Sequence, residues 1–281
     1  WQQNKKLAAA LFTALLSPRF LGSPAAHSKR EALLAWLPGH LEEIETLDLL
    51  PLGILHDVYM HCSYADLPGR HEIKRPINRL IRRKLDALGL SRVPPIPART
   101  SKEKPIMLVL LEWFSGGHSI YRTHSRTLEA ARRHFNVVAV AYSGNIDEVG
   151  RAVFDEVVDF EAPNDMIACL RQLHTLACAL KPAVFYMPSV GMFPITMFAA
   201  NQRLAPVQVA ALGHPATTHS DRIDYISVED DFVGDPACFS ETLLRLPKDG
   251  QPYRPSAIEV SLARPRRQDS PVVNIAVAST T

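Results

Sequence analysis

The sequence predicts an α/β protein in two parts: an all-helical N-terminal unit, residues 1–100, followed by a Rossmann-like unit, residues 105–247. Three observations predict it. Up to about residue 90 the apolar residues recur at helical spacing. A stretch with four prolines, SRVPPIPARTSKEKP, then reads as a linker. Beyond it, short apolar runs alternate with helical patterns, the rhythm of a parallel sheet covered on both faces.

The elements follow in order. NKKLAAALFTALLSPRFLGS mimics a leader peptide, with two lysines and a ten-residue apolar run. Leu7 to Leu16 is too short to span a bilayer, and no other stretch looks transmembrane. The chain starts at Trp1, so a helix inside a unit that begins upstream is the expectation, with Leu7, Leu11, Leu15 and Phe12 on one face. In SKREALLAWLPGHLEEI, Ser28 has Glu31 at capping-box spacing, and Pro38-Gly39 punctuates the run. Ile54 to Tyr64 is apolar with polar insertions. HEIKRPINRLIRRKLDALGL places Ile77, Leu80, Ile81, Leu85 and Leu88 on one face and ends at Gly89. In the second part the predicted strands are Ile106–Leu111, Val137–Tyr142, Val157–Phe160, Ala183–Met187, Val207–Leu212 and Tyr225–Val228. The predicted helices are Ser125–His134, Ile146–Phe154, Asn164–Leu180 and Phe193–Arg203. Unbroken runs such as IMLVLL and VVAVAY suit strands buried on both faces. After Val228 the pattern loosens. Residues 248–271 read as a connector, and 272–281 as the first strand of a further domain.

The bulk numbers narrow the function. With 281 residues, 47% of them hydrophobic, the chain can bury a sizeable core. A net charge of only +2 gives no global demand for nucleic acid. The charge is uneven: Arg70 to Arg99 carries nine Lys/Arg against two acids, read as a solvated helix face with a phosphate or docking surface as the alternative. The four cysteines form no C-x-x-C pair, which predicts reduced thiols and a cytoplasmic protein.

Ligands of parallel sheets gather at the carboxyl ends of the strands. Three loops fall there: SGGHSIYRTHS after the first strand, MPSVG after the fourth, GHPATTHS after the fifth. The first lacks G-x-G-x-x-G, so the usual dinucleotide fingerprint is missing. Gly116-Gly117 permits close approach of backbone to ligand, and Thr123 or Ser125 is a candidate helix cap. His118 and His124, six apart, fall on different helix faces: His118 at the cleft, His124 supporting the loop. A metal reading would combine His118, His214 and His219, yet no H-E-x-x-H or H-x-H pattern occurs. No G-x-S-x-G elbow is present either. In HDVYMHCSYAD, His56, Asp57, His61 and Tyr64 repeat at roughly helical spacing, either as an internally bonded polar face or as a face toward the cleft.

Together HSIYRTHS, GHPATTHS with the following IDY, and HDVYMHCSYADLPGRHEIKRPINRLIRRKL resemble the bacterial cytoplasmic N-glycosyltransferases that modify high-molecular-weight adhesins, which group with the O-linked N-acetylglucosamine transferases. The resemblance spans essentially the whole chain. It implies an all-helical domain followed by a GT-B fold, two Rossmann-like domains facing a cleft. It implies transfer of glucose or galactose from a UDP-sugar to Asn of Asn-x-Ser/Thr in a polypeptide, with inversion, without metal or other cofactor. His118 matches the active-site histidine. His56, Asp57, His61 and Tyr64 match positions bordering the acceptor groove. Gly117, Arg122, His214, Thr217 and Thr218 are expected on the cleft loops. Trp113 stands where the family often has a further histidine. The family's second Rossmann domain holds most of the nucleotide site, including a lysine for the diphosphate, and this chain ends at Thr281 where that domain is expected to start. The chain alone is therefore expected to be inactive. The chemistry fits in outline. Without a metal, helix N-termini and Lys/Arg must stabilise the departing UDP. An amide nitrogen needs a base or hydrogen-bond acceptor beside it, which a neutral histidine or Asp57 would supply. The alternatives are a non-catalytic module that binds a peptide or partner, and a metal-dependent enzyme using the histidines.

Overall fold

The computed structural model describes residues 1–20, 22–93, 104–211, 213 and 216–255. The predicted connector (248–271) from residue 256 on, the predicted further strand (272–281), most of the linker, and His214 lie outside the described residues.

Four helices form the first unit: α1 (Lys5–Leu15), α2 (Pro24–Leu41), α3 (Leu52–His61) and α4 (Lys74–Ala87). α2 starts earlier than Ser28. Ser23 is its N-cap, accepting from the Ala26 N–H at 3.2 Å, with Pro24 in the first turn. Ser28 sits inside and donates its hydroxyl back to the Pro24 carbonyl. Pro38-Gly39 does not end the helix, which runs through both to Leu41. The predicted apolar face of α1 is not fully covered: Leu7 is 67% and Leu11 53% exposed. α4 buries Ile77, Leu80, Ile81 and Leu85, as its spacing predicts, and Leu88 follows as its C-cap. Its cations are used within the fold. Arg79 donates to the carbonyls of Leu41, Glu42 and Ile44, closing the C-terminus of α2. Lys84 pairs with Asp48, and Arg82 reaches Asn201 and Asp221. The basic run is thus largely a set of internal ties.

The second unit is a seven-stranded parallel sheet with order β3-β2-β1-β4-β5-β6-β7. The strands are β1 (Ile106–Leu110), β2 (Asn136–Ala141), β3 (Glu156–Asp159), β4 (Val184–Met187), β5 (Val207–Ala211), β6 (Tyr225–Glu229) and β7 (Thr242–Leu246). Six match the predicted strands within a residue or two. β7 falls where the pattern loosens, because an edge strand half open to water needs no apolar run. The helices are α5 (Ser119–Ala131), α6 (Glu148–Arg151), α7 (Met166–Leu180) and α8 (Pro194–Ala199). α5 begins six residues before the predicted Ser125, so neither Thr123 nor Ser125 caps it.

One hydrophobic core joins the helical unit to a face of the sheet. Leu55, Val58, Ile77 and Ile81 share it with Leu108, Leu110, Val138, Phe185, Met187 and Phe198. The opposite face packs Val109, Leu111, Ala139 and Val209 under α5. The strand order reverses between β1 and β4. Their carboxyl ends therefore open on the crevice where parallel sheets bind ligands.

Candidate active site at the sheet's switch point

His118 is the N-cap of α5. Its Nδ1 accepts the Ile120 N–H at 3.2 Å. In the neutral ring the proton then sits on Nε2, which makes His118 a donor on its open side. Partial burial, with the nearby Arg122 charge adding to it, lowers its pKa and favours that neutral form. Gly117 is exposed with open space beside it, while Gly116 donates to Asp147 and packs on Val149.

Trp113 answers the question its position raises. It supplies a ring instead of a second imidazole: Trp113 stacks on His118, centroids 6.0 Å apart and planes at 26°. Its other neighbour is Phe193, at 5.5 Å. Beneath it lies Glu112, a carboxylate 1% exposed at the end of β1. It accepts from the backbone of Gly191, Met192 and Phe193 and from the hydroxyls of Ser189 and Thr196. Burial raises its pKa, and these donors oppose that.

Beside His118 is a cleft of about 520 Å³. Ser119 and Thr123 of the first turn of α5, Gly213 after β5, Glu229 at the end of β6, and Asp249, Gln251 and Tyr253 line it. Gly213 has a steric reason: a Cβ there would come within 2.3 Å of the Pro188 carbonyl oxygen. The segment 251–254 is strapped to α5. Gln251 meets His124 at 3.0 Å, Arg254 binds Ser125 and Glu129, and Arg122 lies over the Tyr253 ring. His124 is 1% exposed and its pKa is pushed down to about 4 by burial, so it supports the strap.

Thr217 and Thr218 do not face this cleft. Both are buried. Thr217 Oγ1, and the N–H and Oγ1 of Thr218, donate to Glu241. Their carbonyls accept from Lys74 Nζ (2.8 Å), Tyr59 Oη (2.6 Å) and Asn78 Nδ2 (2.9 Å). Small hydroxylated residues serve here as anchors, because buried backbone oxygens must be paired. This knot ties α3 and α4 to the loop after β5. His219, in the left-handed region at φ 50°, is 9% exposed with a pKa of about 4.

The α3 residues His56, Asp57, His61 and Tyr64, like His118 itself, are not among those that line the cleft beside α5. Asp57 accepts from Ser17 Oγ and lies 3.4 Å from His56, and the His61 and Tyr64 rings are 5.5 Å apart. α3 still meets the switch point, since Tyr59 and Met60 lie against Gly191.

Among the described residues one cluster has metal-ligand composition: His27, Glu31 and Asp66. Its bonds are those of a latch. Arg30, which can only donate, bonds His27 Nδ1 at 3.0 Å, leaving the ring proton on Nε2 toward Asp66. Glu31 accepts the N–H groups of Asp66 and Leu67.

The fold defines the class first. Its arrangement is similar to the GT-B fold of an O-GlcNAc transferase from Thermobaculum terrenum, with TM-score 0.50 and 20% identity over 86% of this chain and 48% of that one. Residues 1–85 match the family model described as HMW1 domain 2. At the level of sequence the chain is homologous to UDP-glucose:protein N-beta-glucosyltransferases of Actinobacillus pleuropneumoniae, serotype 5b (strain L20) and serotype 7 (strain AP76). It is 47% identical to each across its whole length. It spans 45% of each relative, about half their length. No described helix is long and apolar enough to cross a membrane.

Proposed function

We propose that this chain is the acceptor-side half of a cytoplasmic, inverting, metal-independent glycosyltransferase. It would transfer glucose, or another hexose, from a UDP-sugar to Asn of Asn-x-Ser/Thr in a polypeptide such as an adhesin. The observation that carries the reading is the placement of His118 at the switch-point crevice of a chain 47% identical to named protein N-glucosyltransferases.

The geometry favours one role for His118 over another. With Nδ1 committed to the Ile120 N–H, the ring offers Nε2–H. A donor suits the oxygen on which charge develops as the glycosidic bond breaks. A base for the acceptor amide must come from elsewhere, and carboxylates are at hand in Glu229 and Asp249.

The full-length protein is incubated with UDP-glucose and an Asn-x-Thr peptide and read by mass spectrometry. A mass gain of one hexose is expected, and His118→Ala abolishes it with folding intact. Retained transfer in that variant sinks the assignment of His118, and no transfer by the parent points to a peptide-binding module.

A further inference from the structure

We propose that Glu112 is a positioning residue: its buried carboxylate locks the 189–193 loop against Trp113 and so holds the stack that fixes the ring of His118. The proposal rests on reading His118 as the site histidine.

The connection is continuous. One carboxylate oxygen of Glu112 accepts from the N–H groups of Gly191 (3.0 Å), Met192 (2.8 Å) and Phe193 (3.0 Å) and from Thr196 Oγ1 (2.5 Å). The other accepts from Ser189 Oγ at 2.6 Å. A single side chain just past β1 thereby shapes the loop after β4. Phe193, whose N–H is held in this way, carries the ring that packs on Trp113, and Trp113 carries the ring that stacks on His118.

The backbone is held as tightly. Asn145 donates its Nδ2–H to the Glu112 carbonyl at 2.8 Å, and its own carbonyl accepts the Phe114 N–H at 2.8 Å. The backbone on both sides of Trp113 is held in this way, which fixes where its Cα sits and leaves the ring's orientation to its contacts with Phe193 and His118. A leucine or methionine at 112 would fill the volume as well. It would leave the N–H groups of Met192 and Phe193 and the Ser189 hydroxyl without this acceptor, while Gly191 keeps Thr196 Oγ1 and Thr196 keeps the Phe193 carbonyl, a cost wherever such donors are shielded from water. Stability alone would favour an apolar residue with a different loop. The carboxylate specifies this loop shape, and what the shape delivers is Phe193 against Trp113. Trp113 itself is 36% exposed, which bulk core packing would not require.

The test is an NMR titration of the His118 ring in wild type, Glu112→Gln, Glu112→Asp, Glu112→Ala and Phe193→Ala. Stacking and loop packing keep water from His118, so losing them moves its pKa up toward 6.5, the unperturbed value. Glu112→Ala and Phe193→Ala are expected to show that rise. Glu112→Asp, one methylene short of the five donors, is expected to show part of it. Glu112→Gln, whose amide oxygen still accepts, is expected to stay at the wild-type value. A purely structural role predicts lower stability with the His118 titration unchanged. That result in the folded variants overturns the proposal. If Glu112→Ala does not fold, Glu112→Asp and Phe193→Ala decide it alone. The readout is independent of turnover: an unchanged titration sinks Glu112, whereas transfer that survives His118→Ala sinks the reading of His118.

Discussion

Acidifying the protein from pH 7 to pH 5 should destabilise it through His124 in a way one substitution removes. His124 is 1% exposed on α5, its Nδ1 faces the Gln251 side-chain amide, and its Nε2 has no hydrogen-bond partner among the described residues. A second ring proton would have to sit on Nδ1 against an amide that donates there, in a site with no counter-charge in contact. Burial therefore holds the folded pKa at about 4 against 6.5 for an exposed ring. Between these values the unfolded chain binds the proton and the folded chain does not. The stabilisation is complete above the unfolded pKa and is lost as pH falls from about 6.5 toward about 4. Carrying the two pKa values through the linkage relation gives a loss of about 2 kcal/mol between pH 7 and pH 5. Urea unfolding at the two pH values measures it in wild type and in His124→Gln, which keeps an amide partner for Gln251 but cannot titrate. His219 titrates over the same window in both proteins and cancels in the difference. The wild type should fall by about 2 kcal/mol more than the variant over this interval. Equal losses in the two proteins refute the argument.

Two further substitutions test the frame of the site. Gly213→Ala places a Cβ 2.3 Å from the Pro188 carbonyl oxygen, so the loops after β4 and β5 must separate. A loss of about 1–3 kcal/mol in urea unfolding is expected, as for other overpacked sites. Tyr59→Phe removes the donor to the Thr218 carbonyl, which keeps Asn78. The cost should be about 1 kcal/mol, with faster amide exchange at Thr218 and His219.

Periodicity carried far into this chain, and it stopped at particular residues for physical reasons. The runs IMLVLL and VVAVAY are strands because both faces are covered, and each lies within a residue of its predicted place. The place of His118 in the loop after β1 was legible because glycines after an apolar run mark a loop at a strand's carboxyl end. β7 was not, since none of its three leucines is buried: Leu243 and Leu246 are partly covered and Leu244 is exposed. Thr217 and Thr218 turn inward, which their residue types do not reveal. A small hydroxylated residue in a loop looks the same whether it meets a ligand or pairs with a buried carboxylate, and the carboxylate, Glu241, lies 23 residues away at the start of an unrecognised strand. Ser28 and Pro38 show the same limit at short range. Both are turn-formers by type, yet an 18-residue helix held by Ser23 at its start and Arg79 at its end runs through them.

Glu112 did leave a signal, a lone carboxylate in the otherwise apolar LLEWF. A charge there is either an error against the core or an acceptor for donors that have nowhere else to go. What the chain order does not reveal is which donors. They belong to residues 189–196, some eighty positions on, and they arrive because β4 returns to the opposite side of β1 from β2. That one reversal places the end of β1 beside the end of β4. It turns an acid next to Trp113 into the clamp on Phe193 and makes the Trp113 ring the partner of His118 in place of a second histidine. The residues of this crevice are thus contiguous in the segment from β1 to α5, while its shape depends on a strand order that local pattern cannot encode.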